Sequence, residues 1–434
     1  MKIILWFSVV IFLISCDKNT EYYHLYTSKT NWKNIERNLQ SQLITSKPGD
    51  TIHLGEGHYW FTKSVIIDDK KNLVFTGAGL EKTILSFKGQ EEGAEGIKIS
   101  NSSNIKLMNM TVLDANGDNI KVINTNGIYF SRVKSDWTGG ATETNGAYGF
   151  YPVLCKNVLI EDCIAARASD AGIYVGQSDS VIIRNNEVYQ NVAGIESENS
   201  HFVDIYDNLT YENTGGVLVF DLPGLTQYGS HTRVFNNTIK ENNHKNFAPK
   251  GNIVGMVPPG TGIMILSTRN IEIFNNEIID NRTSGTAIIS YELVLAMDKD
   301  KKQDSESNAS AHNRKYQIDT LYNPYPDHIM IHHNSYKNSL WFPKLSNDIG
   351  KLLLWKFPFN TPDILFDGFV KDNITGIKLC IDQPGIKFVN LNAPEDLQNL
   401  KTDLFPYQCP INKLDPAVVT LDGLNISYSK QMQK

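Results

Sequence analysis

Hydrophobic and polar residues alternate over short stretches in the middle of the chain, and the alternation returns at a fixed interval. Each unit opens on a glycine followed by an apolar residue, and successive openings are 22, 23, 22 and 22 residues apart. The openings are Gly127, Gly149, Gly172, Gly194 and Gly216, and a sixth, Gly262, follows after 46 residues. Alternation with a period of two predicts half-buried strands, so each interval holds several short strands. The longer last spacing is either one unit with an insertion or two units.

A second motif runs in step with the glycines and ends on asparagine. Its copies end at Asn186, Asn208, Asn237 and Asn276, and a weaker copy ends at Asn334. Asparagine and glycine tolerate the backbone of tight corners, and asparagine side chains stacked in register form amide ladders. A unit of about 22 residues cannot close a core alone, so the units must stack. We therefore predict an all-β fold, a right-handed, single-stranded parallel β-helix of about ten coils.

The two ends of such a β-helix need covers, because open ends expose unpaired strand edges. An amphipathic capping helix is predicted at the N-terminal end from four apolar residues at helical spacing: Trp32, Ile35, Leu39 and Leu43. The β-helix is predicted over residues 28–345, with an exposed, charged insertion at about 293–327. Residues 346–434 are less regular and are predicted to form a C-terminal capping module.

Five cysteines are too few for a disulfide scaffold. Cys380 and Cys409 lie in the C-terminal module and are candidates for a disulfide in an oxidising compartment. Cys155 and Cys163 are predicted to be buried free thiols. The cysteine and histidine spacings typical of metal centres do not occur, so no metal site is predicted from motifs.

The N-terminus has the features of an export signal. Lys2 precedes an apolar stretch over residues 3–14, which is too short for a membrane span of about 20 residues. Residues 1–15 are predicted to be a signal peptide and residues 16–27 a tether. The ending Leu13-Ile14-Ser15-Cys16 resembles the bacterial lipoprotein box. That resemblance implies a lipid on Cys16, membrane anchorage and a location in the cell envelope outside the cytoplasm.

The charge balance narrows the class of partner. The chain carries 41 Lys and Arg against 47 Asp and Glu, a net charge of -6. A mildly acidic chain does not attract nucleic acid through its net field, so no nucleic-acid partner is predicted. The hydrophobic share of 41% is sufficient for a large core and excludes general disorder.

Several strings between residues 136 and 255 are distinctive. They are residues 136–140, 145–153, 168–178, 192–200, 213–224 and 246–252. They resemble a family of bacterial exported parallel β-helix proteins that has no established activity. Its members often carry lipoprotein signals and are often encoded beside a dihaem c-type cytochrome-like protein. The resemblance therefore implies an exported c-type cytochrome-like protein as a candidate partner.

Two weaker resemblances concern β-helix enzymes. The opening coils resemble those of pectate-lyase-like proteins. The string Tyr148-Gly149-Phe150-Tyr151-Pro152-Val153 is similar to the catalytic signature of alginate C5-epimerases, Tyr-Gly-apolar-Asp-Pro-His-acid. The acids and the histidine of that signature are replaced here, so this resemblance does not imply the epimerase reaction.

Stacking the glycine openings predicts a candidate site on the outer surface. Tyr129, Tyr151, Tyr174, Glu196 and Leu218 fall in one outward column, and strand alternation also places Glu198 outward. The predicted catalytic residues are Asp170, Glu196, Glu198 and Asp221, with Arg167 and Lys250 as cations. The predicted substrate-binding residues are Tyr148, Tyr151 and Tyr174. Aromatic rings beside carboxyl groups are typical of sugar sites.

Several chemistries and several plain structural roles fit these residues. Two carboxyl groups serve as acid and base in glycoside hydrolysis, whereas elimination or epimerisation of a uronic acid also needs cations. Clustered acids also offer the oxygen ligands that Ca²⁺ takes. Alternatively, the tyrosines stiffen the solenoid, Glu196 and Glu198 keep an exposed strand soluble, and Asp170 and Asp221 belong to turns.

Three functions from different classes remain open. The first is binding or modification of a uronic-acid-type polysaccharide by a tethered, extracytoplasmic β-helix, with polysaccharide lyase, epimerase or glycoside hydrolase chemistry if it is an enzyme. The second is a non-catalytic scaffold that binds the cytochrome-like protein. The third is a purely structural envelope lipoprotein.

Overall fold

The computed structural model describes residues 32–299, 314–339, 342–344, 348–357, 361–370, 379–395 and 397–428. The predicted signal peptide, the tether and the lipidation site Cys16 lie outside the described residues. Three α-helices fall wholly within them, α1 (Glu36–Thr45), α2 (Tyr291–Lys299) and α3 (Asp348–Lys356), together with short 3-10 helices over Ile253–Met256, Ala393–Glu395 and Phe405–Tyr407. Across these described ranges, no helix is both long and apolar enough to cross a bilayer.

The strands of the described residues are short and numerous. In chain order they are β1 (Thr51–His53), β2 (Gly57–Trp60), β3 (Lys63–Asp68), β4 (Lys71–Thr76), β5 (Thr83–Ser86), β6 (Glu92–Ser100), β7 (Ser103–Leu113), β8 (Ile120–Ile123), β9 (Asn126–Asp136), β10 (Tyr148–Val153), β11 (Lys156–Glu161), β12 (Ile164–Ala166), β13 (Ala171–Gly176), β14 (Asp179–Arg184), β15 (Glu187–Tyr189), β16 (Ala193–Glu198), β17 (His201–Tyr206), β18 (Leu209–Tyr211), β19 (Gly215–Phe220), β20 (Ser230–Phe235), β21 (Thr238–Lys240), β22 (Thr261–Leu266), β23 (Arg269–Phe274), β24 (Glu277–Ile279), β25 (Ser284–Ile289), β26 (Asp327–His332), β27 (Ser335–Lys337), β28 (Ile364–Phe366), β29 (Leu379–Asp382), β30 (Phe388–Asn390), β31 (Val418–Leu421) and β32 (Leu424–Ser427).

These strands form the predicted right-handed parallel β-helix. Eleven of the described strands pair in parallel as sheet 2, in the order β3-β6-β8-β10-β13-β16-β19-β22-β25-β28-β30. The other strands up to β29 form sheet 1, and β31 and β32 form a separate antiparallel hairpin. A typical coil is β13, β14 and β15, one strand of sheet 2 followed by two of sheet 1. The next coil begins at β16, directly against β13.

Left-handed backbone turns the chain at each corner of a coil. In the coil that begins at β13, the corner residues Gln177, Asn185 and Gln190 have φ angles of 48°, 55° and 57°. The asparagine after the second corner points inward and joins a ladder. The side chain of Asn186 donates to that of Asn208 at 2.9 Å, and the ladder continues through Asn237 to Asn276 and Asn334. The predicted amide ladder is therefore present, and a second one runs through Asn191, Asn213, Asn242 and Asn281.

The repeated glycines stack because two backbones approach closely there. Gly172, Gly194 and Gly216 are neighbours in consecutive coils, as predicted. A Cβ atom on Gly194 would lie 2.5 Å from the carbonyl oxygen of Gly216, which no side chain tolerates. Gly127 was wrongly included in this column. It lies in β9 of sheet 1, so its spacing of 22 residues from Gly149 is a coincidence.

The core fills the inside of the coils. Ile173, Ile195, Val217 and Ile263 form one vertical column of sheet 2, and each is fully buried. At the N-terminal end, α1 buries Leu39 and Leu43 as predicted, whereas Trp32 and Ile35 precede its first residue. The side-chain amide of Gln40 donates to the carbonyl of Ile66 and accepts from its N–H, which covers the open edge of β3.

The C-terminal boundary and the insertion differ from the prediction. Strands β28, β29 and β30 belong to the β-helix, so it continues to Asn390, well beyond residue 345. The described ends of the insertion are only partly exposed: Ile318 and Leu321 are 78% and 82% exposed as predicted, whereas Tyr322 is buried and donates to the carbonyl of Asp221 at 2.6 Å. The charged centre of the insertion, residues 300–313, lies outside the described residues. Cys380 and Cys409 form a disulfide with Cα atoms 5.4 Å apart, and Cys155 and Cys163 are buried free thiols.

Candidate active site

Four residues of sheet 2 form an outward column in consecutive coils. Tyr151, Tyr174, Glu196 and Leu218 are in register from β10 to β19. Tyr129 was predicted in this column but lies in sheet 1, opposite Leu159. The true neighbour of Tyr151 on the preceding coil is Lys121. Glu198 stands in the adjacent outward column between Gly176 and Phe220, where the sequence placed it.

The outward acids border a small cavity, which we call the acid pocket. It is lined by Tyr148, Asp170, Glu196, Glu198, Leu222, Asn252, Ile253 and Val254 and has a volume of about 60 Å³. Strands β10, β13 and β16 and the residues beside them supply the tyrosine and the acids. A loop over residues 241–260 supplies Asn252, Ile253 and Val254 and covers the outside. Glu196 is only 2% exposed, so it does not serve to keep a strand soluble.

The carboxyl groups of the acid pocket have few partners. The hydroxyl of Tyr174 donates to Oε1 of Glu198 at 2.8 Å, and the amide of Asn252 lies 3.5 Å from Oδ2 of Asp170. Oδ1 of Asp170 and Oε2 of Glu196 are buried without a hydrogen-bond partner. Leaving such an oxygen unsatisfied costs about 1–3 kcal/mol. These two oxygens are therefore placed to receive a proton or a ligand.

Burial is the main cause of a raised pKa in all three acids, and none of the described residues that line the pocket is a cation. Burial, with help from the charge of Glu198, raises the pKa of Asp170 to about 8, and a hydrogen bond with Tyr148 opposes the shift. Burial raises the pKa of Glu198 to about 7, and the hydrogen bond from Tyr174 opposes it. Burial and the charges of Asp170 and Glu198 raise the pKa of Glu196 well above its usual range. Near neutral pH the acid pocket therefore holds protonated carboxyl groups beside a more acidic one.

Three tyrosines form the wall beside the acids. The ring centroids of Tyr148 and Tyr151 are 4.4 Å apart, and that of Tyr174 lies 4.6 Å from Tyr148 and 5.0 Å from Tyr151. Burial raises the pKa of the Tyr148 and Tyr174 hydroxyls well above the usual value. Both hydroxyls keep their protons at neutral pH, so they act as hydrogen-bond donors and are poor bases.

Three of the six predicted catalytic residues lie outside the acid pocket. The carboxylate of Asp221 accepts the N–H of Gly229 at 2.9 Å, which closes a turn. Arg167 donates to Asp136 at 2.7 and 2.9 Å and has a left-handed backbone with φ 65°, which directs it to another corner. Lys250 is exposed on the covering loop. The predicted set of six therefore separates into three clustered acids and three residues that do not line the pocket.

The covering loop supplies the pocket residues that sequence reasoning missed. Its signal was the spacing of 46 residues between Gly216 and Gly262, which are direct neighbours on adjacent coils. One coil thus contains a long insertion, and this insertion folds over the outside of sheet 2. Its apolar residues Ile253, Val254 and Val257 pack on the outward side of sheet 2, in a cluster with Leu218 and Phe220.

The predicted alternative of a Ca²⁺ site requires a group of oxygen ligands in the structure. Within the described ranges, no group of three or more His, Cys, Asp or Glu side chains is placed to hold a metal ion. Hard cations such as Ca²⁺ take six to eight oxygens, whereas the acid pocket offers protonated carboxyl groups at neutral pH.

Comparisons with known proteins agree with the fold. A family model described as "Right handed beta helix region" matches residues 64–224. No curated protein matches the chain. Among solved structures, the chain is similar to the A-module of mannuronan C-5 epimerase AlgE4 from Azotobacter vinelandii, with 15% identity over 71% of this chain and 92% of that one and a TM-score of 0.43.

Two further solved structures have similar values. An alginate lyase from Paenibacillus has 10% identity over 71% of this chain and 97% of that one, with a TM-score of 0.44. A polygalacturonase from Erwinia carotovora ssp. carotovora has 11% identity over 71% of this chain and 90% of that one, with a TM-score of 0.45. At these identities the likeness concerns the fold alone.

Proposed function

We propose that the protein is a polysaccharide-binding β-helix whose acid pocket hydrolyses a glycosidic bond. The observation that carries this proposal is the pair of buried, unpartnered carboxyl oxygens of Asp170 and Glu196 beside a tyrosine wall. Aromatic faces accept the apolar side of a sugar ring, and carboxyl groups bind its hydroxyls. A cavity with unsatisfied hydrogen-bonding groups and an aromatic wall supports a polar, ring-shaped ligand.

The titration order assigns roles to the three acids. Asp170, whose pKa is raised to about 8, donates its proton to the departing glycosidic oxygen. Glu198, at about 7 and stabilised as an anion by Tyr174, accepts a proton from the attacking water. Water adds across the bond, so one sugar gains hydroxyl and the other gains hydrogen. Glu196 stays protonated and donates to a sugar hydroxyl.

The acid pocket fits a neutral sugar better than the uronic acid that the sequence suggested. Elimination or epimerisation of a uronic acid needs a cation beside the substrate carboxylate and a base for the carbon acid. Arg167 and Lys250 were the predicted cations, and neither lines the pocket. The tyrosine hydroxyls are poor bases at neutral pH. Hydrolysis needs no such cation, and its base acts on water rather than on a carbon acid, so we favour it over lyase or epimerase chemistry.

The covering loop must move for a sugar to enter. Ligand sites usually enclose about 300 Å³ or more, whereas the acid pocket encloses about 60 Å³. Asn246 donates to the carbonyls of Val254 and Val257 at 2.9 and 3.0 Å, so this part of the loop holds together as a unit. Gly260, at φ 94°, joins the loop to β22 and is fixed to the neighbouring coils by its backbone hydrogen bonds, so the movement belongs to the loop before it.

The proposal includes the location that the N-terminus suggests. A lipid on Cys16 would tether the β-helix outside the cytoplasm, where polysaccharides occur. Palmitate labelling of the full chain tests this part, since Cys16→Ser should abolish incorporation. If the acid pocket proves inert, the scaffold for a c-type cytochrome-like partner and the structural lipoprotein become the favoured functions.

The test is turnover of a panel of neutral and acidic polysaccharides by the full chain. We expect new reducing ends from the wild type, and about 100-fold or slower turnover for both Glu198→Gln and Asp170→Asn. Glu277→Gln is the matched control, because it neutralises an exposed acid of sheet 1 outside the pocket. Unsaturated or epimerised uronic acids, or unchanged turnover in both pocket variants, would contradict the proposal.

A further inference from the structure

A second concave surface lies on the same sheet, close to its N-terminal end. It is a groove of about 700 Å³ between α1 and the first strands of sheet 2. Its walls include Arg37, Gln40 and Ile44 from α1 and Ile66 and Lys98 from sheet 2. The volume falls within the usual range for ligand sites, about 300–1,000 Å³. We call it the cap groove.

The acids that line the cap groove are already paired. Glu36 accepts the backbone N–H of Lys63 at 2.6 Å. The ammonium group of Lys63 pairs with Glu92 at 2.7 Å, and Glu95 pairs with Lys121 at 3.4 Å. No carboxylate of the groove is therefore left to attract a cation within the described part of the chain.

Two of the groove's cations, in contrast, form no close ion pair, although the charge of Lys98 acts on Glu95 and Asp68 nearby. Arg37 and Lys98 form no ion pair within 4 Å in the part of the chain that the structure describes. Both line the same groove, and the guanidinium of Arg37 suits bidentate recognition of a carboxylate. The exposed apolar side chains of Ile44 and Ile66 lie beside them, 65% and 44% exposed. This combination suits a ligand with an anionic group and an apolar face.

The cap groove is aligned with the acid pocket. Lys98 stands in register with Lys121, then Tyr151, Tyr174 and Glu196 in successive coils of sheet 2. Four steps of about 4.8 Å place Lys98 roughly 19 Å from Glu196 along the axis. Lys121 lies 4.9 Å from the ring centroid of Tyr151, which makes the strip between them continuous. One extended chain can therefore contact both sites.

We propose that the cap groove binds an acidic sugar residue of the same polysaccharide that the acid pocket cleaves at a neutral residue. The substrate class is then an acidic heteropolysaccharide whose charged residue lies roughly 19 Å from the cleaved bond. Only the link to cleavage rests on the proposed function. Binding of an acidic oligosaccharide by Arg37 and Lys98 does not depend on it.

Calorimetric binding of galacturonic acid hexamer to the full chain tests this inference. We expect binding that weakens with added salt, and no comparable binding of an uncharged galactose hexamer. The double variant Arg37→Gln with Lys98→Gln should bind about tenfold more weakly or worse, with an unchanged melting temperature. Lys71→Gln with Lys413→Gln is the matched control, because it removes two exposed charges outside the groove.

The outcomes separate this inference from the proposed function. Glu198→Gln should keep hexamer binding, so loss of turnover with intact binding would remove the hydrolase and leave the groove. Equal weakening by both double variants would overturn the groove, as would equal binding of the neutral hexamer. Binding to phosphatidylglycerol vesicles through Arg37 and Lys98, without hexamer binding, would show a membrane contact instead and would also overturn it.

Discussion

Carboxyl groups are buried on the outer faces of both sheets of the β-helix, but those of sheet 1 have partners for their oxygens, whereas those of sheet 2 leave some oxygens without a partner. On sheet 1, Asp204 is 1% exposed and receives two hydrogen bonds from Arg233, the longer at 2.8 Å. Glu272 beside them contacts His332 at 3.0 Å and the N–H of Leu414 at 2.9 Å. On sheet 2, Glu196 is 2% exposed and has an oxygen with no partner.

The paired acids of sheet 1 therefore form a structural site, whereas the acid pocket of sheet 2 still lacks partners for two of its buried oxygens. Burial raises the pKa of Asp204 as well, but Arg233 opposes that shift with hydrogen bonds and charge. Among the described residues that line the acid pocket there is no cation, so the buried oxygens can be satisfied only by a proton or a ligand. The stacking of the coils in register positions both sets of acids. The role of each set depends on the group packed against it, which is Arg233 for Asp204 and the loop over residues 241–260 for the acid pocket.

The largest effect should come from breaking the completed pair. Arg233→Met leaves Asp204 as an uncompensated buried charge, so the free energy of unfolding should fall by about 3–5 kcal/mol in urea titration. The double variant Arg233→Met with Asp204→Leu should recover most of the loss, because no buried charge then remains. An undiminished loss in the double variant would contradict this explanation.

A smaller effect concerns pH and the acid pocket. The folded state raises the pKa of Asp170 from 3.8 to about 8, so between these values it holds a proton that the unfolded chain has lost. The stability from this group is complete below about pH 4 and is lost as the pH rises towards about 8. The free energy of unfolding of the wild type should therefore fall across this window by a few kcal/mol more than that of Asp170→Asn. Parallel curves for the two proteins would exclude the shift.

The smallest effect should come from an isosteric change inside the acid pocket. Glu196→Gln replaces a group that already holds a proton at neutral pH, so the free energy of unfolding should change by less than about 1 kcal/mol. Glu272→Gln is the comparison on sheet 1 and should lose more, about 1–3 kcal/mol, because its oxygens accept from two donors. The comparison between the sheets fails if the two losses are equal.

The sequence predicted the stacking of this molecule well, because stacking depends on local rules. Asn186 and Asn208 must follow corners and Gly194 must meet Gly216, so their spacing reveals which residues are vertical neighbours. Alternation then placed Glu196 and Glu198 outward. Tyr129 was misplaced because its glycine has the right spacing in the wrong sheet.

These local rules could not predict what surrounds the acids of the site. Alternation separates inward from outward positions, but an outward residue is exposed only if nothing folds over it. The loop that brings Asn252 over Asp170 comes from an insertion 82 residues away in the chain, with no periodicity of its own. Arg167 was predicted as a cation of this site, yet it has a left-handed backbone and its guanidinium donates to Asp136 instead.

The most direct test of the central claim is the infrared spectrum of the acid pocket at neutral pH. The account predicts a carbonyl band from a protonated carboxylic acid in the wild type that disappears in Glu196→Gln, since burial and the neighbouring acids hold a proton on Glu196. The same band should remain in the control Glu277→Gln. A spectrum in which Glu196→Gln removes only a carboxylate band would show that the pocket is ionised, and would contradict the account.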